Sequence, residues 1–175
     1  MHSTVRNLSR NNYVLDSKKL TAASRDEMFE QIKGMEYREL GWFVTVLPAD
    51  YLSNTMLAEF GNGGKNLNKI SHDTAIDLIN KVIAQGVRVK KVILDTVGQA
   101  DKYKQIVMTA LQDPNIEIVV ESKADANHPV VSAASICAKV TRDSVLRDWV
   151  YPEAKAIDSD FGCGYPSDPK AKDWL

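Results

Sequence analysis

ESKADANHPVVSAASICAKVTRD, residues Glu121–Asp143, is the stretch on which the fold turns. It reads as the end of a strand, a turn carrying Asp125, and a helix running from Pro129 to about Val150. Pro129 suits a first helical turn, where a missing N–H costs nothing. Ser132, Ala133, Ala134 and Ser135 are small, so a partner can approach that face closely. Upstream, a second apolar run, Val92-Ile93-Leu94, also ends in a carboxylate, Asp95. Two strands that each lead to an aspartate define one edge, because open α/β sheets bind ligands beyond the carboxyl ends of their strands.

The segments around these strands follow a strand–helix–strand–helix order, which implies a βαβ unit with parallel pairing. Ser71 to Gly86 predicts a helix, with Ser71 as cap and Asp73 near its positive end. Its apolar stripe is Ala75, Ile76, Ile79, Val82 and Ile83. Asp101 to Leu111 predicts another, with Tyr103, Ile106, Val107 and Ala110 inward, followed by a turn at Asp113-Pro114-Asn115 and a strand from Ile116 to Glu121. Nearer the N-terminus, Met28, Phe29 and Ile32 share a helical face that stops at Gly34. Leu40 to Leu47, LGWFVTVL, is rich in β-formers and predicts a strand, and Ala49 to Leu57 a short helix. Gly61 to Asn66 reads as a loop, and Asp158 to Leu175 as a Gly- and Pro-rich tail. Residues 1–14 show no periodicity and are expected to be irregular, leaving residues 15–175 as one domain.

The 175 residues suffice to bury a core, and 44% hydrophobic with 26% charged is the composition of an ordinary globular chain. A net charge of −1 gives no global attraction for nucleic acid, so a binder of this composition needs a local basic patch. The two cysteines, Cys137 and Cys163, have no metal-type spacing and fit a reducing compartment. No apolar run reaches membrane-spanning length, and the polar start MHSTVRNLSRNN has no signal-peptide core.

Asp95 and Asp125, at the ends of neighbouring parallel strands, can bring two carboxylates close together. Such a pair repels unless a proton or cation separates it. Mg²⁺ takes oxygen ligands from a few carboxylates plus phosphate oxygens. Two such ions about 4 Å apart can activate water and stabilise a leaving oxygen in phosphodiester cleavage. The bland reading is that an aspartate at a strand end caps a turn. Arg142 and Asp143 read more readily as a structural ion pair than as a site. His72 and His128 are isolated and read as cap or packing residues, and Cys137 as buried and inert. Lys18, in a charged turn, can meet phosphate or solvent. Tyr165, between Gly164 and Pro166, can stack on a base or plug a core.

Taken together, DSKKLT (Asp16–Thr21), KNLNKISHDTA (Lys65–Ala75), DTVG (Asp95–Gly98), KADANHPVVSAASICAKVTRD (Lys123–Asp143) and FGCGYPSDPKAKDWL (Phe161–Leu175) closely resemble the catalytic subunits of eukaryotic type 2 ribonuclease H, over roughly residues 14–175. The resemblance implies a ribonuclease-H-like α/β fold, a mixed sheet flanked by helices. It implies an endonuclease dependent on Mg²⁺ or Mn²⁺ that cuts RNA in RNA–DNA hybrids and on the 5′ side of ribonucleotides embedded in duplex DNA, leaving a 3′-hydroxyl. It further implies nuclear localisation and two accessory subunits. By their positions in the motifs, Asp95 and Asp125 match the third and fourth metal-binding carboxylates. Tyr165 matches a tyrosine that packs on the nucleotide after the ribose, Asn66 a contact to the nucleic-acid backbone, and Lys18 a lysine near the scissile region.

The sequence departs from that pattern at its start. The family opens with an Asp-Glu-Ala-Gly-Arg-Gly strand, whose acids are the first two metal ligands and whose glycines help sense the 2′-OH. Before Asp16 this chain has no carboxylate, and Asp26-Glu27 follows the DSKKLT turn, in the wrong place. The chain also stops at Leu175, before the family's C-terminal helical region. The expectation is therefore a sheet lacking the opening central strands, with an exposed edge beside the Asp95 strand, and a chain inactive or impaired in cleavage. A nuclease-dead hybrid-binding or assembly module, and a fragment without function, are the competing readings.

Overall fold

The apolar runs before Asp95 and Glu121 pair with each other. A computed structural model describes residues 20–34, 40–57, 65–150, 160–162 and 167–174. In it β1 (Lys91–Asp95) and β2 (Glu117–Glu121) form a parallel ladder, with Val92 opposite Ile118 and Asp95 opposite Glu121. The helices are α1 (Ala22–Lys33), α2 (Ala49–Leu57), α3 (Leu67–Ala84), α4 (Ala100–Leu111), α5 (Ala124–Asn127), α6 (Pro129–Arg147) and α7 (Pro169–Trp174). The chain groups into two compact units, Met1–Asp143 and Ser144–Leu175. The expected boundary at residue 14 lies outside the described residues. Among the described residues, no helix is long and apolar enough to cross a membrane.

In the first unit α4 connects the two strands, and α3 and α4 cover them. Val92, Tyr103, Val107, Ile116 and Ile118 form a buried cluster, against which Ala75, Ile76 and Ile79 of α3 pack. The covering face of α4 is narrower than predicted. Tyr103 and Val107 are buried, one helical turn apart, whereas Ile106 and Ala110 are exposed. Each helical step rotates the side chain by about 100°, so Ile106 faces away once Val107 is centred on the sheet. Ile83 at the end of α3 is exposed as well.

A second cluster joins α1 to α6: Phe29, Ile32, Ile136 and Cys137 are buried, and Leu40 and Val44 pack beside them. Thr21 caps α1, its Oγ1 accepting from Ser24 N at 3.2 Å, and the Gly34 N–H closes the helix on Glu30 O at 2.9 Å. The predicted strand at Leu40–Leu47 does not form, since no ladder partner lies beside it among the described residues. High β-propensity reflects how well side chains fit a half-buried surface, and a strand also needs a neighbour for its N–H and C=O groups. Here the segment packs without pairing, and the Trp42 ring stands edge-on to Phe29 at 5.3 Å.

In the second unit Asp168 begins α7, its carboxylate accepting from Lys170 N at 3.0 Å, and Lys170 reaches Asp160 at 2.8 Å. Gly162 has φ +67°, and a Cβ there would meet Asp168 Oδ2 at 2.6 Å, so the turn accepts no larger residue.

Candidate metal centre

Asp95 ends β1, and its carboxylate is already engaged. Oδ1 accepts the Thr96 N–H at 3.0 Å and the Ala124 N–H at 3.3 Å. Thr96 N also donates to Glu121 O at 3.0 Å, which continues the ladder one step past the strand. The Ala124 N–H belongs to the first residue of α5, so Asp95 caps the short helix that carries Asp125. Asp125 is 3% exposed, and Ala124 before it is fully buried. Asp125 itself lies in α5, four residues past the end of β2, and not at a strand end as the sequence predicted; Asp95 therefore meets the Asp125 turn only through the backbone N–H of Ala124. The turn that achieves it runs through Lys123, which has φ +60° and ψ +35°. A left-handed lysine costs about 1–3 kcal/mol, strain of the kind stored where a side chain must be aimed.

A third carboxylate at this edge was missed in the sequence. Glu121, the register partner of Asp95, accepts from Asn127 Nδ2 at 3.0 Å and lies 2.9 Å from His128 Nε2, both through Oε1. The Asn127 bond chiefly, with His128 and Lys91 adding to it, holds the Glu121 carboxyl below the ordinary glutamate value. Glu121 therefore straps the two ends of the Asp125 turn together. Its only sequence signal is an acid before the turn with Asn and His after it. His128, read as isolated, is one half of this pair.

Asn66 caps α3: its Oδ1 accepts from Lys69 N at 2.9 Å. The helix begins at Leu67, so Ser71, predicted as the cap, sits inside it. The earlier start wins because Asn66 satisfies an end N–H that the apolar stripe alone does not reveal. Lys65 and Lys69 reach Asp73 at 3.2 and 3.4 Å. Burial pushes the Asp73 carboxyl up, but the two lysines outweigh it and leave it below the ordinary value. Lys18 and Tyr165 lie outside the described residues. Asp143 is structural, as expected: Arg142 donates to its Oδ1 at 2.6 Å, and Arg25 of α1 reaches Oδ2 at 3.8 Å. Cys137 is buried, which pushes its thiol up and keeps it protonated and inert.

A hard divalent cation takes carboxylate oxygens, and the Asp95–Asp125 edge offers them. Both backbone N–H groups bond to Oδ1 of Asp95. The donor chemistry fits such an ion. The number of donors is small: among the described residues no three His, Cys, Asp or Glu side chains gather to hold a metal.

Residues 2–175 match the Ribonuclease HII family profile. The chain is 44% identical to the A subunit of ribonuclease H2 from Homo sapiens over 163 residues, 93% of this chain and 52% of that protein. It is also 44% identical to the corresponding subunit of ribonuclease H2 from Arabidopsis thaliana over 161 residues, 91% of this chain and 52% of that one. The chain spans about half the length of the curated relatives it matches. Among solved structures, it superposes on the ribonuclease H2 from Pyrococcus horikoshii OT3 with a TM-score of 0.67 at 24% identity, covering 97% of this chain and 72% of that one. It superposes on a chain of the PCNA:RNase HII complex from Archaeoglobus fulgidus with a TM-score of 0.69 at 26% identity, covering 99% and 72%. These likenesses show an α/β ribonuclease-H-like fold.

Proposed function

The chain belongs to the ribonuclease HII family, and from that premise we propose that it serves the endonucleolytic hydrolysis of RNA in RNA–DNA hybrids and 5′ of ribonucleotides embedded in duplex DNA. The observation that carries the reading is the bond from Ala124 N to Asp95 Oδ1, which sets the Asp125 turn against the end of β1. Asp95 and Asp125 would hold Mg²⁺ or Mn²⁺. Divalent ions held there would supply an activated water for attack on phosphorus and a counter-charge for the departing 3′-oxygen. The residues' own part would be to present both carboxylates to the ion, with the burial of Ala124 and Asp125 keeping water from that side. In the reaction a P–O bond forms to water, the bond to the 3′-oxygen breaks, and a 3′-hydroxyl leaves.

Asn66 and the Lys65–Lys69 pair at the head of α3 would meet the phosphate backbone, with Lys18 near the scissile bond and Tyr165 against the following nucleotide. The matched relatives are each named as one subunit of ribonuclease H2; by that analogy this protein would work with accessory subunits, and its proposed place of action, which rests on the motif resemblance alone, is the nucleus. The chain should bind RNA–DNA hybrid in a salt-dependent way. The test is Mn²⁺ titration of the chain followed by cleavage of a duplex with one embedded ribonucleotide. Mn²⁺ uptake abolished by Asp125→Ala supports the site, and absence of uptake in the wild type refutes it. Vigorous cleavage that survives Asp125→Ala refutes the assignment of Asp125.

A further inference from the structure

His72 sits on α3, away from both aspartates, yet it grips the segment that follows Asp95. Its Nε2 lies 2.9 Å from the carbonyl oxygen of Val97, two residues beyond Asp95. A carbonyl only accepts, so Nε2 carries a proton and donates it. The ring is stacked on Tyr103 of α4, with centroids 3.9 Å apart and planes within 14°. Tyr103 is 2% exposed and belongs to the cluster beneath the strands, so the imidazole rests on an immobile platform. The Val97 side chain packs against that same cluster. Its carbonyl and its side chain are thus both fixed. One turn earlier on α3, Asn68 faces the same loop: a Cβ on Gly98, which has φ +77°, would meet Asn68 Nδ2 at 3.4 Å. The clasp leaves one path for Asp95-Thr96-Val97-Gly98. Along it Thr96 N meets Asp95 Oδ1, and Ala124 N meets the same oxygen.

We infer that His72 is a positioning residue for Asp95: by holding the Val97 carbonyl and resting on Tyr103, it fixes the exit of β1 and so the direction in which the Asp95 carboxylate points. The inference rests on the reading of Asp95 as a ligand and assigns His72 no contact with substrate or metal. Hydrogen-bond partners that orient metal ligands typically contribute about 10–100-fold in affinity. A partner one step further removed, acting through the backbone, belongs at the low end, about 10-fold.

His72→Phe keeps a ring to stack on Tyr103 and removes the N–H. His72→Gln keeps an N–H at about the reach of Nε2 and gives up the stack. Mn²⁺ binding to the full chain is measured by calorimetry, and amide hydrogen exchange at Thr96 and Ala124 without metal. The expected result is about 10-fold weaker Mn²⁺ binding and faster exchange at both amides in His72→Phe, with His72→Gln recovering most of both although its melting temperature is no higher. A merely structural role predicts instead that the two variants lose affinity in proportion to lost stability, and that result overturns the inference. If the wild-type chain takes up no Mn²⁺, the functional reading fails, and exchange still decides: unchanged protection of Thr96 and Ala124 in His72→Phe overturns the positioning role by itself.

Discussion

Asn66 carries two roles that substitution can separate. Its Oδ1 accepts the Lys69 N–H at 2.9 Å, so Asn66→Ala strands one of the four end donors of α3. The position is exposed, and water can reach the stranded group, which places the cost near the middle of the usual cap range, about 1 kcal/mol. For a chain of this size about 1 kcal/mol lowers the melting temperature by about 2–4 °C. If the amide N–H also donates to a phosphate, Asn66→Ala loses one hydrogen bond to a charged acceptor there, about 10–150-fold in affinity. Asn66→Asp pulls the two roles apart. Aspartate caps as well as asparagine and adds about 0.3–1 kcal/mol from the helix dipole, so stability should hold or rise. The same charge repels a phosphate, so hybrid binding should fall further than in Asn66→Ala. The assays are a thermal melt by circular dichroism and fluorescence anisotropy with a labelled RNA–DNA hybrid at two salt concentrations. An Asn66→Asp chain that binds hybrid like the wild type refutes the backbone contact. An Asn66→Ala chain that melts at the wild-type temperature refutes the cap.

Asp95→Asn should keep an oxygen for both N–H groups and melt within about 2 °C of the wild type, while Asp95→Ala strands the Ala124 N–H, costs about 1–3 kcal/mol and melts lower; both should lose Mn²⁺ uptake by calorimetry. The Glu121 carboxyl is depressed in the folded chain by Asn127 first and His128 next, so its share of stability is full above its ordinary 4.5 and fades as pH falls through the lower folded value. Urea melts from pH 6 down to about pH 3 should show a shallower loss in Glu121→Gln than in the wild type, the measured difference being that share. Lys123→Gly relieves the left-handed backbone at φ +60° and, after glycine's own entropic cost, should stabilise by about 1 kcal/mol in the same melts.

What could be read from the sequence depended on whether a feature was local. The runs before Asp95 and Glu121 carry apolar side chains throughout, which only a strand covered on its faces can use, and each supplied the other's partner. Leu40–Leu47 has comparable propensity, yet a strand is a property of two segments, and propensity describes one. The same limit governed the site. Asp95 was legible as a strand-end acid, but the acid that ends the neighbouring strand is Glu121, and Asp125 lies beyond it in α5. The groups that aim them were not legible. Glu121, Asn127 and His128 meet across a turn whose shape depends on the left-handed Lys123, a conformation that no lysine announces. His72 offered a partial signal: it lies one turn before Ala75 and Ile76, on the face of α3 that the apolar stripe turns toward the core. A histidine on that face has to find an acceptor within the fold, and the uncapped carbonyls nearest to a helix covering parallel strands are those where a strand ends. His72, read from the sequence as an isolated cap or packing residue, instead holds the Val97 carbonyl just after β1.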